Sequence, residues 1–439
     1  MSDIQALHHP TAPSRANLLD LPAILGILFG LVMPLVSAAL FRTYTDSMPT
    51  MWQERTRLLE LHFVACEMLV IGAALNRGTR IRPLWRGLPR DIHVAVLALV
   101  IAMVVSSSLL STFPADAMLQ TMIQIVHGLF AFVIYDLARG LRTRDWSRMI
   151  SWCVIGLVPI GLVTWAWFAI AQPESAVTGG RIVWDMAIPG FISIRYLGTW
   201  LGGIAAFLTV RHLYRDANAR FTADHVILTA VLAFTFWTGT RAAIVGIAAA
   251  VVGSAITVRR LPSIPAMVIG AIMAIAALAL ATVFAFDSSI FTLYTPEDAV
   301  SAQSFAAGRV ELWAATVEQW ARSPLLGWGT GSLVWDVDLG WHHTQPHNAI
   351  LQFGENWGIV GLAAIGWLFI RATGAAARRS RADTALLPLF AMVLAFLGMS
   401  MVDGALYYPR FIIMILVGFA IVLASKAGEH PAGGGSATV

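Results

Sequence analysis

The chain has 439 residues, of which 58% are hydrophobic and only 12% are charged. A soluble domain carries roughly 25% charged residues, so this composition excludes a water-soluble globular protein. The net charge of +4 could indicate nucleic-acid binding. However, the basic residues stand in short segments between apolar runs, which membrane orientation explains better, and no nucleic-acid partner is predicted.

Apolar runs recur along the chain, and each is roughly 20 residues long, enough to cross a bilayer as a helix. The runs are apolar at every position and do not alternate, which predicts helices and not barrel strands. We therefore predict an all-α polytopic membrane protein with about 12 transmembrane helices. The predicted spans, in chain order, are 19–40, 58–76, 93–113, 117–138, 149–171, 194–210, 223–239, 241–257, 264–286, 347–370, 384–403 and 410–425.

The distribution of basic residues predicts the orientation of these spans. Twelve spans place both termini on one side, and that side holds 20 of the 29 Lys and Arg residues. By the positive-inside rule the termini are cytoplasmic. The remaining nine basic residues lie on the outer side: Arg42, Arg55, Arg57, Arg181, Arg195, Arg241, Arg309, Arg322 and Arg410.

The spans divide the chain into three parts. Residues 1–286 contain transmembrane helices one to nine, residues 287–346 form one large outer loop, and residues 347–439 contain helices ten to twelve and a short cytoplasmic tail. Connections as long as the loop are usually functional or disordered. This one is rich in Trp, so we predict that it is ordered and contains short helices, one of them from Gly308 to Arg322.

The outer loop ends in the sequence WHHTQPHN over residues 341–348. Pro346 fits the first turn of a helix, which would place His347 at the N-terminus of the tenth span. The positive end of the helix dipole favours a neutral imidazole there, and a neutral imidazole can accept a proton from a hydroxyl. The alternative is a histidine that is only hydrogen-bonded at the membrane interface.

The same segment raises the question of a metal. His342, His343 and His347 could supply ligands, and Asp336 and Asp338 are within reach along the chain. No cysteine or acidic residue stands at the spacing of a metal site, so we predict no metal and no cofactor.

Three outer arginines are candidates for binding an anion. Arg195 begins the sixth span, Arg241 is wedged between the seventh and eighth spans, and Arg309 begins the predicted loop helix. Charges beside apolar spans are costly and are usually functional or paired, and guanidinium offers a rigid fork for phosphate oxygens. Together they suit a pyrophosphate at the membrane surface. The alternative is structural: each could pair with a carboxylate, for which Asp403 is a candidate, or reach the lipid headgroups.

The sequence PLLGWGTG at 324–331 has alternating glycines. Such glycines can direct backbone N–H groups at an anion, or they can form a tight turn. We favour the turn.

The order of these motifs resembles a known family. GRxxLW at 308–313, SPLLGWG at 323–329 and PHNxxLQxxExxGIxGL at 346–362 are similar to motifs of the bacterial O-antigen ligase/O-antigen polymerase superfamily. TGTRA at 238–242 resembles its Ser-x-Ser-Arg-Gly-type motif, with Thr in place of Ser and Ala in place of Gly. Outside 238–362 the chain resembles the family only in its hydropathy pattern.

The resemblance implies a metal-independent, inverting glycosyltransferase that faces the periplasm from the bacterial inner membrane. It would move a glycan from undecaprenyl pyrophosphate to an acceptor hydroxyl. His347 would be the base that activates the acceptor, and Arg309 and Arg241 would neutralise the departing pyrophosphate. Arg195 would also bind pyrophosphate, although its surrounding motif fits the family less well.

Within the superfamily, a single large outer loop between late spans resembles the ligases. The polymerases more often carry two, and here the loop at 172–193 is short. We therefore predict an O-antigen ligase with lipid A–core as acceptor, which would complete lipopolysaccharide; a polymerase is the alternative. A transporter or flippase for lipid-linked sugars is the alternative of another class, and it would predict charges along a path across the membrane.

Overall fold

A computed structural model of the chain describes residues 21–40, 59–139, 194–214, 223–284, 309–332 and 345–425, with individual positions between 151 and 191. This part of the chain is helical apart from turns and one short antiparallel hairpin, formed by β1 (Val177–Thr178) and β2 (Arg181–Ile182). The hairpin lies within the segment 172–193, for which the sequence predicted only a loop.

Ten helices with defined bounds precede the predicted outer loop in the described residues. They are α1 (Leu21–Ile27), α2 (Met33–Leu40), α3 (Leu61–Asn76), α4 (Ile81–Arg86), α5 (Arg90–Val105), α6 (Pro114–Ala138), α7 (Ile194–Leu213), α8 (Ala223–Trp237), α9 (Arg241–Val258) and α10 (Ile264–Val283). A π-helical turn, Leu28–Val32, joins α1 to α2, and a second one, Ser106–Leu110, extends α5.

Four helices follow in the described residues. They are α11 (Arg309–Arg322), α12 (Ala349–Ala382), α13 (Leu387–Met399) and α14 (Pro409–Ala424). Short 3₁₀ helices, Thr384–Leu386 and Ala405–Tyr407, precede α13 and α14.

Most of the predicted spans coincide with helices, with differences at their ends. The split between the seventh and eighth spans is confirmed, because α8 ends at Trp237 and α9 begins at Arg241. The tenth span is longer than predicted and continues to Ala382. The short helix α4 was not predicted. Of the fifth span, 149–171, only individual positions between 151 and 166 are described, and these are helical.

The described helices are compatible with a polytopic membrane protein. Among them, five are long and apolar enough to cross a membrane: Arg90–Leu110, Pro114–Ala138, Arg241–Val258, Ile264–Val283 and Ala349–Ala382. Five shorter apolar helices of 10–17 residues accompany them in this part of the chain. The total of twelve spans and the outer loop as a separate unit stay predictions.

The centre of the bundle is formed by α7, α13 and α14, whose side chains are mostly buried. Close helix packing relies on small residues: a Cβ on Gly246 of α9 would lie 2.8 Å from the carbonyl oxygen of Ala395 on α13. Large apolar side chains point outward from the peripheral helices, as Val283 at 76% exposure does on α10. Such a surface suits lipid and not water.

The helix α12 is broken at Gly358, which has φ 62° and ψ −167° inside the helix. The segment 324–331 fills the break. The N–H groups of Trp328 and Gly329 donate to the carbonyls of Glu355 and Asn356, at 2.8 and 2.9 Å. In return, the carbonyl of Pro324 accepts from the N–H of Ile359 at 2.9 Å. The broken helix thus recovers its backbone hydrogen bonds from the turn beside it.

This arrangement resolves the role of the glycine-rich motif. Gly327, Gly329 and Gly331 all have positive φ, and a Cβ on Gly327 would overlap the carbonyl oxygen of Glu355. The N–H groups of Trp328 and Gly329 already donate to carbonyl oxygens. The motif is therefore a tight turn packed against α12, as favoured from the sequence.

Candidate active site

His347 lies just before α12 and not inside it. The helix begins at Ala349, and Asn348 caps it: its side-chain oxygen accepts the N–H groups of Ile350 and Leu351 at 3.0 and 3.1 Å. The prediction that Pro346 occupies the first helical turn is therefore wrong. The asparagine side chain supplies the capping bonds that begin the helix two residues after His347.

The backbone of His347 adopts φ 54°, the left-handed region that non-glycine residues seldom occupy. Such a conformation costs about 1–3 kcal/mol and persists only where the surroundings hold it. Here the next residue is fixed, because Asn348 donates its side-chain N–H to the carbonyl of Met401 at 3.0 Å. The Ala349 N–H donates to the carbonyl of Ser400 at 2.9 Å. These bonds dock the histidine on the turn that follows α13.

That turn presents Asp403 to the histidine. Nδ1 of His347 lies 3.2 Å from Oδ1 of Asp403, and both side chains are partly exposed. Oδ1 also accepts the N–H of Gly404 at 2.8 Å, which fixes the carboxylate. Sequence analysis named Asp403 only as a partner for an arginine. The two residues lie 56 positions apart, so no spacing signal joined them.

The pKa of Asp403 determines which ring nitrogen is available. Burial raises this pKa, but the hydrogen bond and charge of His347, the N–H of Gly404 and the charge of Arg309 lower it, and the result is below the ordinary value. Asp403 is therefore ionised at neutral pH and can only accept. Nδ1 of a neutral His347 must carry the proton, which leaves Nε2 as an acceptor.

The three candidate arginines meet at this place. Burial lowers the pKa of Arg309; the charges of Arg195 and Arg241 lower it further, and the charge of Asp403 raises it. Arg195, Arg241 and Asp403 therefore all lie within electrostatic range of Arg309. Arg195 and Arg241 are exposed, and Arg309 is half-buried. Within the described residues, the charges that act on Arg309 come from two guanidinium groups and one carboxylate, and this excess of positive charge favours an anion at the surface.

A short turn places Arg241 beside Arg195. The Thr238 hydroxyl donates to the carbonyl of Thr235 at 2.7 Å and lies 2.9 Å from the hydroxyl of Thr240. The Thr240 hydroxyl donates to the carbonyl of Arg195 at 3.4 Å. The first turn of α7 therefore rests on the connection between α8 and α9. The sequence ranked Arg195 as the weakest of the three arginines, yet the structure brings it to the other two.

Close approach at this contact requires a glycine. A Cβ on Gly198, one turn after Arg195 on α7, would overlap the hydroxyls of both Thr238 and Thr240. The glycine therefore allows α7 to touch the turn that carries Arg241. This gives a physical role to the two threonines of the TGTRA motif.

The helix α11 is held against the site by its tryptophans. Trp313 donates its indole N–H to the carbonyl of Pro346 at 2.8 Å, and Trp328 donates to the carbonyl of Gln319 at 2.7 Å. The Gln319 amide donates to a carboxylate oxygen of Glu355 at 2.9 Å. Arg309, the first residue of α11, is thereby positioned relative to His347. The predicted loop helix ending at Arg322 is confirmed, and it begins at Arg309 in the described residues.

Two residues at the edge of the site gave no signal in the sequence. Gln345 is buried, and its amide donates to the Tyr408 hydroxyl at 2.9 Å. The ring of Tyr408 stands edge-on to Tyr196, with 4.3 Å between centroids, and Tyr196 follows Arg195. Aromatic residues at span ends are usually interface anchors, so pattern alone could not mark these as part of the site.

Some candidates cannot be placed. His342, His343, Asp336 and Asp338 lie outside the described residues. Of the outer basic residues, Arg322 does not belong to the arginine group described above: it forms an exposed ion pair with Glu318, one turn earlier on α11, at 3.0 Å.

A family model described as O-antigen ligase matches residues 226–366, from α8 into α12. The match covers 141 of the 439 residues and supports membership of the O-antigen ligase/polymerase superfamily. The matched segment contains Arg241, Arg309 and His347, and Arg195 and Asp403 lie outside it. No curated protein matches the chain.

Membership of this superfamily would imply a ligase or polymerase activity of the glycosyltransferase kind, with lipid-linked glycan substrates in a membrane. The motifs at 238–362 that suggested the resemblance all fall inside the matched segment.

Proposed function

We propose that the chain is an O-antigen ligase of the bacterial inner membrane. It transfers O-antigen from undecaprenyl pyrophosphate to a sugar hydroxyl of lipid A–core on the periplasmic face, and so completes lipopolysaccharide. One observation carries the proposal: Nδ1 of His347 lies 3.2 Å from Asp403, and the charge of Asp403 acts on Arg309, on which the charges of Arg195 and Arg241 also act. A base for a hydroxyl and a cluster of cations for a pyrophosphate are the two requirements of this reaction.

The reaction is a single displacement. The acceptor hydroxyl gives its proton to Nε2 of His347 as its oxygen attacks the anomeric carbon of the donor glycan. The bond from that carbon to the pyrophosphate oxygen breaks with its electron pair, and undecaprenyl pyrophosphate leaves. Because attack and departure occur on opposite sides, the anomeric configuration inverts. Asp403 stabilises the imidazolium that forms at His347.

Departure of the pyrophosphate requires balance of its negative charge. Guanidinium groups can form paired hydrogen bonds to phosphate oxygens, and the charges of Arg195 and Arg241 lie close enough to Arg309 to lower its pKa. Fixed positive charges that wait where negative charge develops stabilise the transition state. Since arginines can supply this balance, the proposed reaction needs no metal and no cofactor.

The choice of ligase over polymerase depends on the predicted outer loops. The sequence has one large outer loop, at 287–346, and the other outer loop, at 172–193, is short, whereas polymerases more often carry two large ones. The orientation rests on the basic residues, which predict cytoplasmic termini and a periplasmic site. The candidate charges gather in one place, whereas a transporter would need them along a crossing path.

The test is reconstitution. Purified protein in liposomes receives an undecaprenyl-pyrophosphate-linked glycan and rough lipopolysaccharide, with EDTA present. Transfer of the preformed glycan to lipid A–core is the expected result. Elongation of the glycan on its own carrier would identify a polymerase instead. If neither product forms while the donor crosses the bilayer, the protein is a transporter.

A further inference from the structure

A groove of about 660 Å³ lies between α5 and α12, away from the arginines and His347. Its walls carry the small side chains of Ala95 and Ala98 on α5 and of Ala363 and Ala364 on α12. The alanines leave room between the two helices. The groove belongs to the outer surface of the bundle, since Ala363 is exposed.

The groove lies near the membrane face opposite the site. The two helices run antiparallel: Asp91, at the start of α5, pairs with Arg371 far along α12 at 2.9 Å. At the other end of α5, Ser107 lies 3.2 Å from the Thr330 hydroxyl, in the turn that packs beside the break in α12. His347 precedes α12 at that second end.

The mouth of the groove is charged. Arg90, Asp91 and Trp367 line it, and Asp91 is already satisfied by Arg371 and by the indole N–H of Trp367 at 3.1 Å. Arg90 is exposed, and no hydrogen bond or ion pair joins it to another described residue. Two guanidinium groups against one carboxylate leave one positive charge in excess, carried by Arg90.

The length of the groove along α5 is close to the hydrocarbon depth of one bilayer leaflet. From Arg90 to Ala98 the helix rises about 12 Å. The hydrocarbon of a single leaflet is about 15 Å deep. A chain lying along the alanines would therefore keep its polar end at the height of Arg90.

We propose that this groove binds a phospholipid with an anionic head group. Arg90 contacts its phosphate, and one acyl chain lies between α5 and α12. Basic pockets between transmembrane helices attract such head groups, and the apolar walls suit an acyl chain. This site is separate from the proposed transfer reaction and does not depend on it.

Native mass spectrometry tests the proposal. The purified full chain is incubated with equal amounts of phosphatidylglycerol and phosphatidylethanolamine. Preferential retention of phosphatidylglycerol is expected, and Arg90→Gln should weaken it roughly fivefold, the effect of one arginine near an anionic surface. Arg90→Lys keeps the charge and should retain the lipid. Arg378→Gln removes the same charge from the exposed end of α12, outside the groove, and should leave retention unchanged.

A second variant fills the groove. Ala363→Phe places a ring where the acyl chain should lie and should abolish retention, and a monodisperse elution profile shows that the fold survives. Equal retention of the two phospholipids would overturn the proposal, as would equal effects of Arg90→Gln and Arg378→Gln. Displacement of phosphatidylglycerol by an equal amount of undecaprenyl phosphate would also overturn it, in favour of a polyprenyl site.

Discussion

Trp313 on α11 donates its indole N–H to the carbonyl oxygen of Pro346 at 2.8 Å, and Pro346 is the residue immediately before His347. Arg309 lies one turn earlier on the same helix. One hydrogen bond therefore joins the helix that carries the arginine to the segment that carries the histidine.

Trp313→Phe removes that bond and keeps most of the ring. We expect glycan transfer to fall about fivefold, because a lost hydrogen bond of about 1 kcal/mol shifts Arg309 relative to His347. The matched control is Trp320→Phe on the same helix, whose indole donates to the carbonyl of Pro324 at 3.2 Å, away from the site. Initial rates in liposomes measure both. Equal losses would show that the tryptophans only stabilise α11.

His347→Ala should abolish transfer while insertion and folding remain intact. A general base contributes about a hundredfold to ten-thousandfold. His93→Ala is a suitable control, because that histidine bonds to the carbonyl of Trp85 at 2.7 Å, by the groove end of α5. Donor binding is measured alongside the rate. Full transfer by His347→Ala would remove the base from the mechanism.

Asp403→Asn keeps the shape of the side chain and removes its charge. We expect transfer to fall at least a hundredfold, because the amide no longer fixes the Nδ1–H tautomer of His347 or stabilises its imidazolium. Binding of the donor should change much less than the rate. If transfer were unaffected, His347 would need no orienting carboxylate.

The same residue predicts a dependence of stability on pH. The pKa of Asp403 in the folded chain is below its ordinary value of 3.8, so its carboxylate stabilises the fold above that value. The contribution is lost as the pH falls through the folded pKa. Thermal unfolding followed from about pH 6 to about pH 3 should therefore show a shallower acid decline in Asp403→Asn than in the parent chain. Identical declines would show that folding does not lower the pKa of Asp403.

Substitution of the arginines should weaken binding of the donor. Arg309→Ala and Arg241→Ala each remove a charged hydrogen-bond donor worth about 1.5–3 kcal/mol, so donor affinity should fall roughly tenfold to a hundredfold. Arg195→Ala should act in the same direction. Arg378→Ala, at the far end of α12, should have no effect. Equal losses for Arg378→Ala and the other variants would mean that the arginines act through overall charge alone.

The sequence predicts where most helices lie, but it does not predict which residues of different helices come into contact. Apolar runs are a local property, and they located most of the spans to within a few residues. The start of α12 was misplaced because Asn348 caps the helix, and Pro346 was read as its first turn. The candidate arginines could be identified because a charged side chain beside an apolar membrane span is energetically costly. Their proximity to Asp403 depends on packing between distant segments, which no spacing in the sequence expresses.

The break in α12 could not be predicted from the sequence either. Gly358 stands inside an apolar run, where a glycine usually continues a membrane helix. Its role follows from the turn at 324–331, which supplies the missing hydrogen bonds from outside the helix. A local reading cannot separate this glycine from Gly366, which lies two turns further on in the same helix.

That pair of glycines gives the last prediction. Gly358 has φ 62° and ψ −167°, a conformation open in practice only to glycine, and a Cβ there would overlap the backbone of Leu325. Gly358→Ala should therefore destabilise the fold by about 3 kcal/mol or more. At Gly366 a Cβ would meet nothing within 4 Å, so Gly366→Ala should change stability by about 1 kcal/mol or less, toward greater stability. Thermal unfolding of both variants in detergent distinguishes them. Equal melting temperatures would show that the turn does not hold α12 open, and transfer by Gly358→Ala would then be unaffected.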